Sequence, residues 1–226
     1  MVGPAGDARP VTAARRGDDG EMTGRTGRAD LPTGAGGVDD AVTAALRDVD
    51  RRGFLPRAAA RWAEADSPVE IGRGQTCSQP STVAAMLRLL DVPTGADVLD
   101  VGSGSGWTTA LLASLVGPTG SVLGLERHAD LAAWGAANVR RTGMPWARVA
   151  RAAPGVLGAP RAGGWERVLV SAAPTQLPQE LVDQVAPGGR MVIPVRHVMV
   201  VVTRDHDGTV RTSEHGTYSF VPLVED

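Results

Sequence analysis

The chain has 226 residues, room for one domain of ordinary size plus an appendage but not for two full domains. Hydrophobic residues make up 42% and charged ones 21%, enough for a sizeable core, while no run approaches the roughly 18 apolar residues of a membrane span or the apolar core of a signal peptide, which predicts a cytoplasmic protein. A net charge of -2 leaves no footprint for nucleic acid or anionic lipid, all 23 basic residues are Arg, which excludes P-loop and Schiff-base lysines, and the single Cys77 excludes internal disulfides and multi-cysteine zinc sites.

Residues 1–37 are mostly Gly, Ala, Arg, Asp and Thr, with too little apolar bulk to repay the entropy of ordering, and are expected to form a disordered tail. A helical extension is expected over 38–74. Val42, Ala45, Leu46 and Val49 recur at helical spacing behind Asp39 and Asp40, Phe54-Leu55-Pro56 breaks the pattern, and Arg57 to Glu64 offers another helical turn before Gly72-Arg73-Gly74. The main domain is expected over 75–226. Its first helix runs from Pro80 to Leu90, with Val83, Leu87 and Leu90 on one face and Pro93-Thr94-Gly95 at its end.

Short apolar runs follow at Val98 to Val101, Val122 to Leu125, Val168 to Val170 and Met191 to Val195. Helical stretches at Thr108 to Leu115, Ala129 to Val139 and Gln179 to Val185 separate them. The alternation predicts an α/β fold, a Rossmann-like, doubly wound, mostly parallel sheet of seven strands. His197 to Arg204 and Gly208 to Val224, joined at Asp205-His206-Asp207-Gly208, predict a closing antiparallel hairpin.

The chemistry concentrates in Val98-Leu99-Asp100-Val101-Gly102-Ser103-Gly104-Ser105-Gly106, a buried strand running into a glycine-rich turn that opens a helix. Glycines let a backbone approach a ligand closely, and free N–H groups at a helix start favour negative charge. Glu126 stands twenty residues beyond Gly106, at the end of the next strand, where a carboxylate can hold both ribose hydroxyls. A dinucleotide loop is normally G-x-G-x-x-G. Here the spacing is G-x-G-x-G, with Asp100 two places ahead of the first glycine. That is the pattern of S-adenosylmethionine, which has no pyrophosphate to wrap but carries an ammonium that Asp100 can help hold. NAD and a purely structural turn are the competing readings.

Over about three-quarters of its length, from Phe54 to Leu223, the sequence resembles protein-L-isoaspartate O-methyltransferases. The resemblance is carried by Gly74-Gln75-Thr76-Cys77-Ser78-Gln79-Pro80, the glycine loop, Leu125-Glu126-Arg127, Pro187-Gly188-Gly189-Arg190-Met191-Val192-Ile193-Pro194 and Phe220-Val221-Pro222-Leu223. The first and last stretches are specific to that family; the glycine loop and the Pro-Gly-Gly turn are shared with many S-adenosylmethionine-dependent methyltransferases.

The resemblance implies methyl transfer from S-adenosylmethionine to the carboxylate of an isoaspartyl residue in a peptide or protein, giving an ester that collapses to a succinimide. A carboxylate, with an ordinary pKa near 4, needs no general base to attack a sulfonium methyl, so positioning is most of the task. Ser78 matches the family serine beside that carboxylate and is the expected catalytic positioning residue. The resemblance places the cofactor against Asp100, Gly102, Ser103, Gly104, Gly106, Glu126, Arg127 and Ala153, and the substrate against Thr76, Ser78, Ser171 and Val221.

Three departures from the family pattern stand out. Ala152-Ala153-Pro154 replaces a Gly-Asp-Gly whose Asp contacts adenine, Arg196-His197 replaces a Gly, and the chain ends soon after Leu223. Each residue also has a structural reading: Ser78 as a cap of the following helix, Asp100 as a strand-end carboxylate, Glu126 as a solvated charge, and Cys77 as a small buried hydrophobe. The four histidines lack ligand spacing, so no metal is expected. Two rival functions fit the same residues: methylation of an ordinary aspartate in a dedicated precursor peptide, and a cofactor-binding protein without turnover.

Overall fold

The computed structural model describes residues 40–224, so the expected tail over 1–37 lies outside the described residues. Helix α1 (Ala41–Asp48) is capped by Asp40, which accepts the Thr43 N–H at 2.7 Å, and buries Val42 and Ala45. Two 3-10 turns follow, Arg51–Phe54 and Arg57–Trp62. The expected helical extension over 38–74 is helical only to this point. Strands β1 (Val69–Gly72) and β2 (Gln75–Cys77) then pair antiparallel through a turn in which Gly72, Arg73 and Gly74 all have positive φ. These strands are too short for alternation to register, and the boundary expected at 74 cuts their turn.

Helix α2 (Pro80–Leu90) begins with Pro at its first position, where the missing N–H would have had no partner, and buries Val83, Met86, Leu87 and Leu90. Its N-cap is Gln79, without a side-chain cap, and the Ser81 N–H is taken by Asp66 at 2.9 Å. Ser78 is therefore not the helix cap.

The main sheet contains β3 (Asp97–Val101), β4 (Ser121–Glu126), β5 (Ala147–Arg151), β6 (Trp165–Val170), β7 (Val185–Val195), β8 (Val198–Arg204) and β9 (Val210–Thr217). Their order is β5-β4-β3-β6-β7-β8-β9, seven strands, with β5 through β7 parallel and β8 and β9 added antiparallel. This is the expected α/β sheet with its closing hairpin. Strand β5 has no apolar run: it lies at the sheet edge, where Ala-Arg-Val-Ala-Arg half-faces water. The second hairpin strand ends at Thr217 instead of running to Val224. The chain instead doubles back so that Leu223 N–H donates to Ala173 O and Ala173 N–H to Val221 O, at 2.9 and 2.8 Å.

Alternation along the strands supplies two cores. Val98, Val122, Val149, Leu169 and Val192 face buried side chains of α1, α2 and α3 (Trp107–Val116), joined by Val139 of α4 (Ala129–Arg141). Leu99, Val101, Val168, Val170, Met191 and Ile193 face the other way, toward Leu181 and Val182 of α5 (Gln179–Asp183). No helix among the described residues is long and apolar enough to cross a membrane. From β3 the chain steps outward to β4 and β5, then crosses to β6 on the opposite side of β3. The carboxyl ends of the strands on either side of that reversal leave a crevice, the place where parallel α/β sheets bind ligands.

Candidate active site

The glycine loop leaves β3 at the mouth of that crevice. Gly102, Gly104 and Gly106 have φ of 80, 52 and 89°, left-handed values that side chains disfavour. The three glycines serve different ends. Gly102 lines the crevice, whereas a Cβ on Gly106 would sit 2.8 Å from Val139 Cγ2 and 3.0 Å from Gly135 O. Gly106 thus lets α4 press against the loop and lines neither cavity described below. Gly135 answers from inside α4, its Cα facing Gly104 O so closely that a Cβ would approach to 2.7 Å. Asn138 Nδ2 ties the same helix to Ser105 O at 2.8 Å.

Four of the loop's backbone donors are spent within the protein. Gly102 and Ser103 N–H both donate to Leu125 O at 2.9 Å, Gly106 N–H donates to Ser103 O at 2.8 Å, and Gly104 N–H donates to Glu126 Oε2 at 3.1 Å. The expectation of free N–H groups for an anion is therefore corrected for these four residues, and a phosphate cradle built from them is excluded. What the site offers instead is acceptors. Asp100 is completely buried, with Oδ2 accepting from Thr108 and Thr109 hydroxyls at 2.8 and 2.6 Å, and its Oδ1 and the neighbouring Ser103 Oγ have no partner. Burial, with a smaller contribution from Glu126, raises the Asp100 pKa from 3.8 to about 6. Glu126 is buried at the end of β4 and takes the N–H groups of Gly104 and His128, one on each oxygen. Each oxygen keeps a lone pair for a ligand hydroxyl. Unpartnered buried acceptors and a carboxylate with spare capacity fit S-adenosylmethionine, cationic at its amino-acid end and carrying a ribose diol.

Two adjacent cavities surround this loop. A cleft of about 730 Å³ is lined by Gly102, Glu126, Arg127, Arg151, Ala153 and Ala172 among others, large enough for a nucleoside cofactor. A smaller cavity of about 50 Å³ is lined by Thr76, Ser78, Gly102, Ser103, Gly104, Ser171 and Val221. Gln75, Gly102, Glu126 and Ala172 line both. The structure therefore gathers Thr76, Ser78, Ser171 and Val221 from three separate segments, and puts Arg127 and Ala153 in the larger cleft. Asp100 and Gly106 line neither; both lie beneath the loop, where Asp100 meets the first turn of α3 and Gly106 meets α4.

Several residues that organise the site escaped sequence reading. Gln75 bridges the cavities, and Gly135 carried the only available signal, a glycine inside an otherwise helical run. Arg51 gave none. It is only 4% exposed, and its guanidinium donates to the carbonyls of Ala63, Ala65, Ser67, Cys77 and Ser78 at 2.8 to 3.4 Å. It also lies over the Trp107 ring, 5.3 Å from its centroid. Burial pushes the neighbouring Cys77 thiol above its ordinary pKa, so it sits as a protonated small hydrophobe.

Residues 34–226 match the family model of protein-L-isoaspartate(D-aspartate) O-methyltransferase. The chain is 41% identical over 187 residues to the protein-L-isoaspartate O-methyltransferase of Methanopyrus kandleri, covering 81% of this chain and 83% of the relative. It is 40% identical over 187 residues to that of Aeropyrum pernix, covering 81% and 72%. A Plasmodium falciparum structure described as a protein-L-isoaspartate O-methyltransferase in complex with S-adenosyl-L-homocysteine superposes with a TM-score of 0.71 at 27% identity, covering 84% of this chain and 93% of that one.

Proposed function

Since the chain belongs to the protein-L-isoaspartate(D-aspartate) O-methyltransferase family, we propose that it transfers a methyl group from S-adenosylmethionine to the carboxylate of isoaspartyl residues in peptides or proteins, in the cytoplasm. The observation that carries this reading is the junction of the two cavities. Ser78, in the smaller one, faces the same Gly102 and Glu126 that line the larger. A carboxylate seated beside Ser78 and a cofactor held in the cleft would meet at that junction.

When bound, S-adenosylmethionine supplies a methyl group made electrophilic by its sulfonium. Glu126 would hold the ribose hydroxyls, and Asp100 would supply a buried negative charge to the ammonium from beneath the loop. Arg127 and Ala153 would border the nucleoside in the cleft. With no carboxylate at Ala153, the base is left to backbone and apolar contacts. On the acceptor side the Ser78 hydroxyl would donate to one carboxylate oxygen, so that the other is free to attack, with Thr76, Ser171 and Val221 shaping the peptide's path. Because the acceptor is already ionised at neutral pH, no residue has to remove a proton, and the rate gain comes from alignment. The resulting ester closes to a succinimide by attack of the following backbone nitrogen, with methanol leaving, and that step needs no group from the enzyme.

The test is mass spectrometry on two peptides differing only in isoaspartate or aspartate at one position, incubated with S-adenosylmethionine. Methyl ester or succinimide from the isoaspartyl peptide alone supports repair-type methylation. Modification of the aspartyl peptide would move the assignment to a dedicated peptide substrate, and silence on both, with S-adenosylhomocysteine still bound in calorimetry, to a binding protein.

A further inference from the structure

We infer that Arg51 is a positioning and specificity-determining residue of the acceptor site: its guanidinium fixes the Cys77-Ser78 backbone and places a permanent positive charge directly behind the smaller cavity, favouring acceptors that carry a carboxylate. This rests on the reading of that cavity as the acceptor site.

Three observations converge on Arg51. The first is its reach. From the 3-10 turn after α1, one Nη2 atom donates to Ser67 O at 2.8 Å and to Cys77 O and Ser78 O at 2.9 Å each. Cys77 and Ser78 both line the smaller cavity, as does Trp107, whose ring the guanidinium covers. Arg51 thus stands one layer behind the cavity wall on two sides without entering it. The second is its charge balance. Among the described residues its hydrogen bonds run to backbone carbonyls, with the Cys77 thiol beside it, and no carboxylate forms an ion pair with it. It therefore has no direct ion-pair partner and acts on Asp66 only through space, a small contribution beside that carboxylate's hydrogen bonds to Ser81 and Gln79. The third is cost. Burying an unpaired cation is far more expensive than burying a neutral donor, and Gln or an ordered water would bind carbonyls without that penalty.

Three acidic groups stand near the cavity, of which Glu126 lines it and opposes the field of Arg51, but none is paired with the guanidinium. Glu126 has both oxygens taken by backbone N–H groups, buried Asp100 is held by Thr108 and Thr109, and Asp66 is exposed, bound to the Ser81 N–H and to Gln79. A carboxylate arriving beside Ser78 meets a cation already fixed in a low-dielectric wall, where its attraction is weakly screened.

The experiment compares two peptides in the full chain, with S-adenosylhomocysteine bound so that no turnover occurs: an isoaspartyl peptide and the same peptide with a carboxamide in place of that carboxylate. Calorimetry gives the ratio of their dissociation constants. In the natural protein the carboxylate is expected to bind about tenfold more tightly, about 1.4 kcal/mol. Arg51→Gln brings the ratio close to one, whereas a purely structural role would weaken both peptides alike and leave the ratio unchanged. Arg51→Lys keeps the charge but holds fewer carbonyls, so the ratio persists while kcat falls. An unchanged ratio in folded Arg51→Gln overturns the inference. If circular dichroism shows that Arg51→Gln does not fold, Arg51→Lys decides: ratio kept with lowered kcat sustains it, and a lost ratio or an unchanged kcat overturns it. A natural protein that neither prefers the carboxylate nor methylates it refutes the acceptor reading itself, whatever the variants do.

Discussion

Replacing Asp100 with Asn separates what this carboxylate costs the fold from what it contributes to the cofactor. Burial raises the folded-state pKa from 3.8 to about 6, so between those values the folded chain binds a proton that the unfolded chain does not. Stability from this group therefore falls as pH rises through the window, and the penalty is full above it. At 1.36 kcal/mol per pH unit, burying this group costs about 3 kcal/mol at pH 7, where the carboxylate is ionised, and roughly half that at pH 5, where the folded chain must take up a proton. Asn removes that penalty but brings an amide N–H₂ with no acceptor prepared for it, a cost of about 1–3 kcal/mol that does not depend on pH. The pH-independent part cancels when natural protein and variant are compared at both pH values. Urea unfolding should show the difference between them shifting by about 1 kcal/mol in the variant's favour from pH 5 to pH 7. S-adenosylhomocysteine, whose ammonium loses a buried counter-charge, should bind Asp100→Asn about tenfold more weakly at pH 7. A difference in stability that is the same at both pH values would refute the assignment of Asp100 as a buried, ionisable carboxylate under tension. Unchanged S-adenosylhomocysteine affinity would refute its role toward the cofactor.

Four further outcomes are expected. Gly135→Ala puts a Cβ 2.7 Å from Gly104 O, so melting should report a loss of about 1–3 kcal/mol and calorimetry a weaker S-adenosylhomocysteine complex. Ala153→Asp should tighten S-adenosylhomocysteine by about tenfold if the added carboxylate reaches the adenine amino group, since one such bond is worth about 1–2 kcal/mol. Ser78→Ala should raise KM and lower kcat for the isoaspartyl peptide in steady-state assays with S-adenosylhomocysteine affinity unchanged, and an equal loss of both would contradict its placement on the acceptor side. Deleting residues 1–37 should leave kcat/KM intact, and a large fall would show that this segment takes part in catalysis.

Much of the architecture was legible because it is written in local periodicity. The apolar runs of β3, β4, β6 and β7, the amphipathic stretch of α2 and the turn before β9 each announce themselves within a dozen residues, and their alternation implies a parallel sheet. The glycine loop and Glu126 were legible for a related reason: in such a sheet consecutive strands end side by side, so a fixed spacing in sequence becomes proximity in space. Edge strand β5 and the β1–β2 hairpin were not, since exposed arginines between small residues and strands of three or four residues leave too little pattern.

The sequence by itself therefore determined the fold class, the family resemblance and the cofactor pattern. It named Ser78, Glu126, Ser171 and Val221 without showing why they meet. Only the tertiary structure decided that the loop's donors are turned inward, that Asp100 lies under the loop beside Thr108 and Thr109, and that Gly106 and Gly135 make room for each other. It also decided that Arg51 backs the wall of the smaller cavity, binding carbonyls as far as 27 residues along the chain. The physical reason is the same in each case. Hydrogen-bond partners and close approaches between distant segments have no sequence period; they exist only once burial has removed water and left each polar atom to find its partner inside the fold.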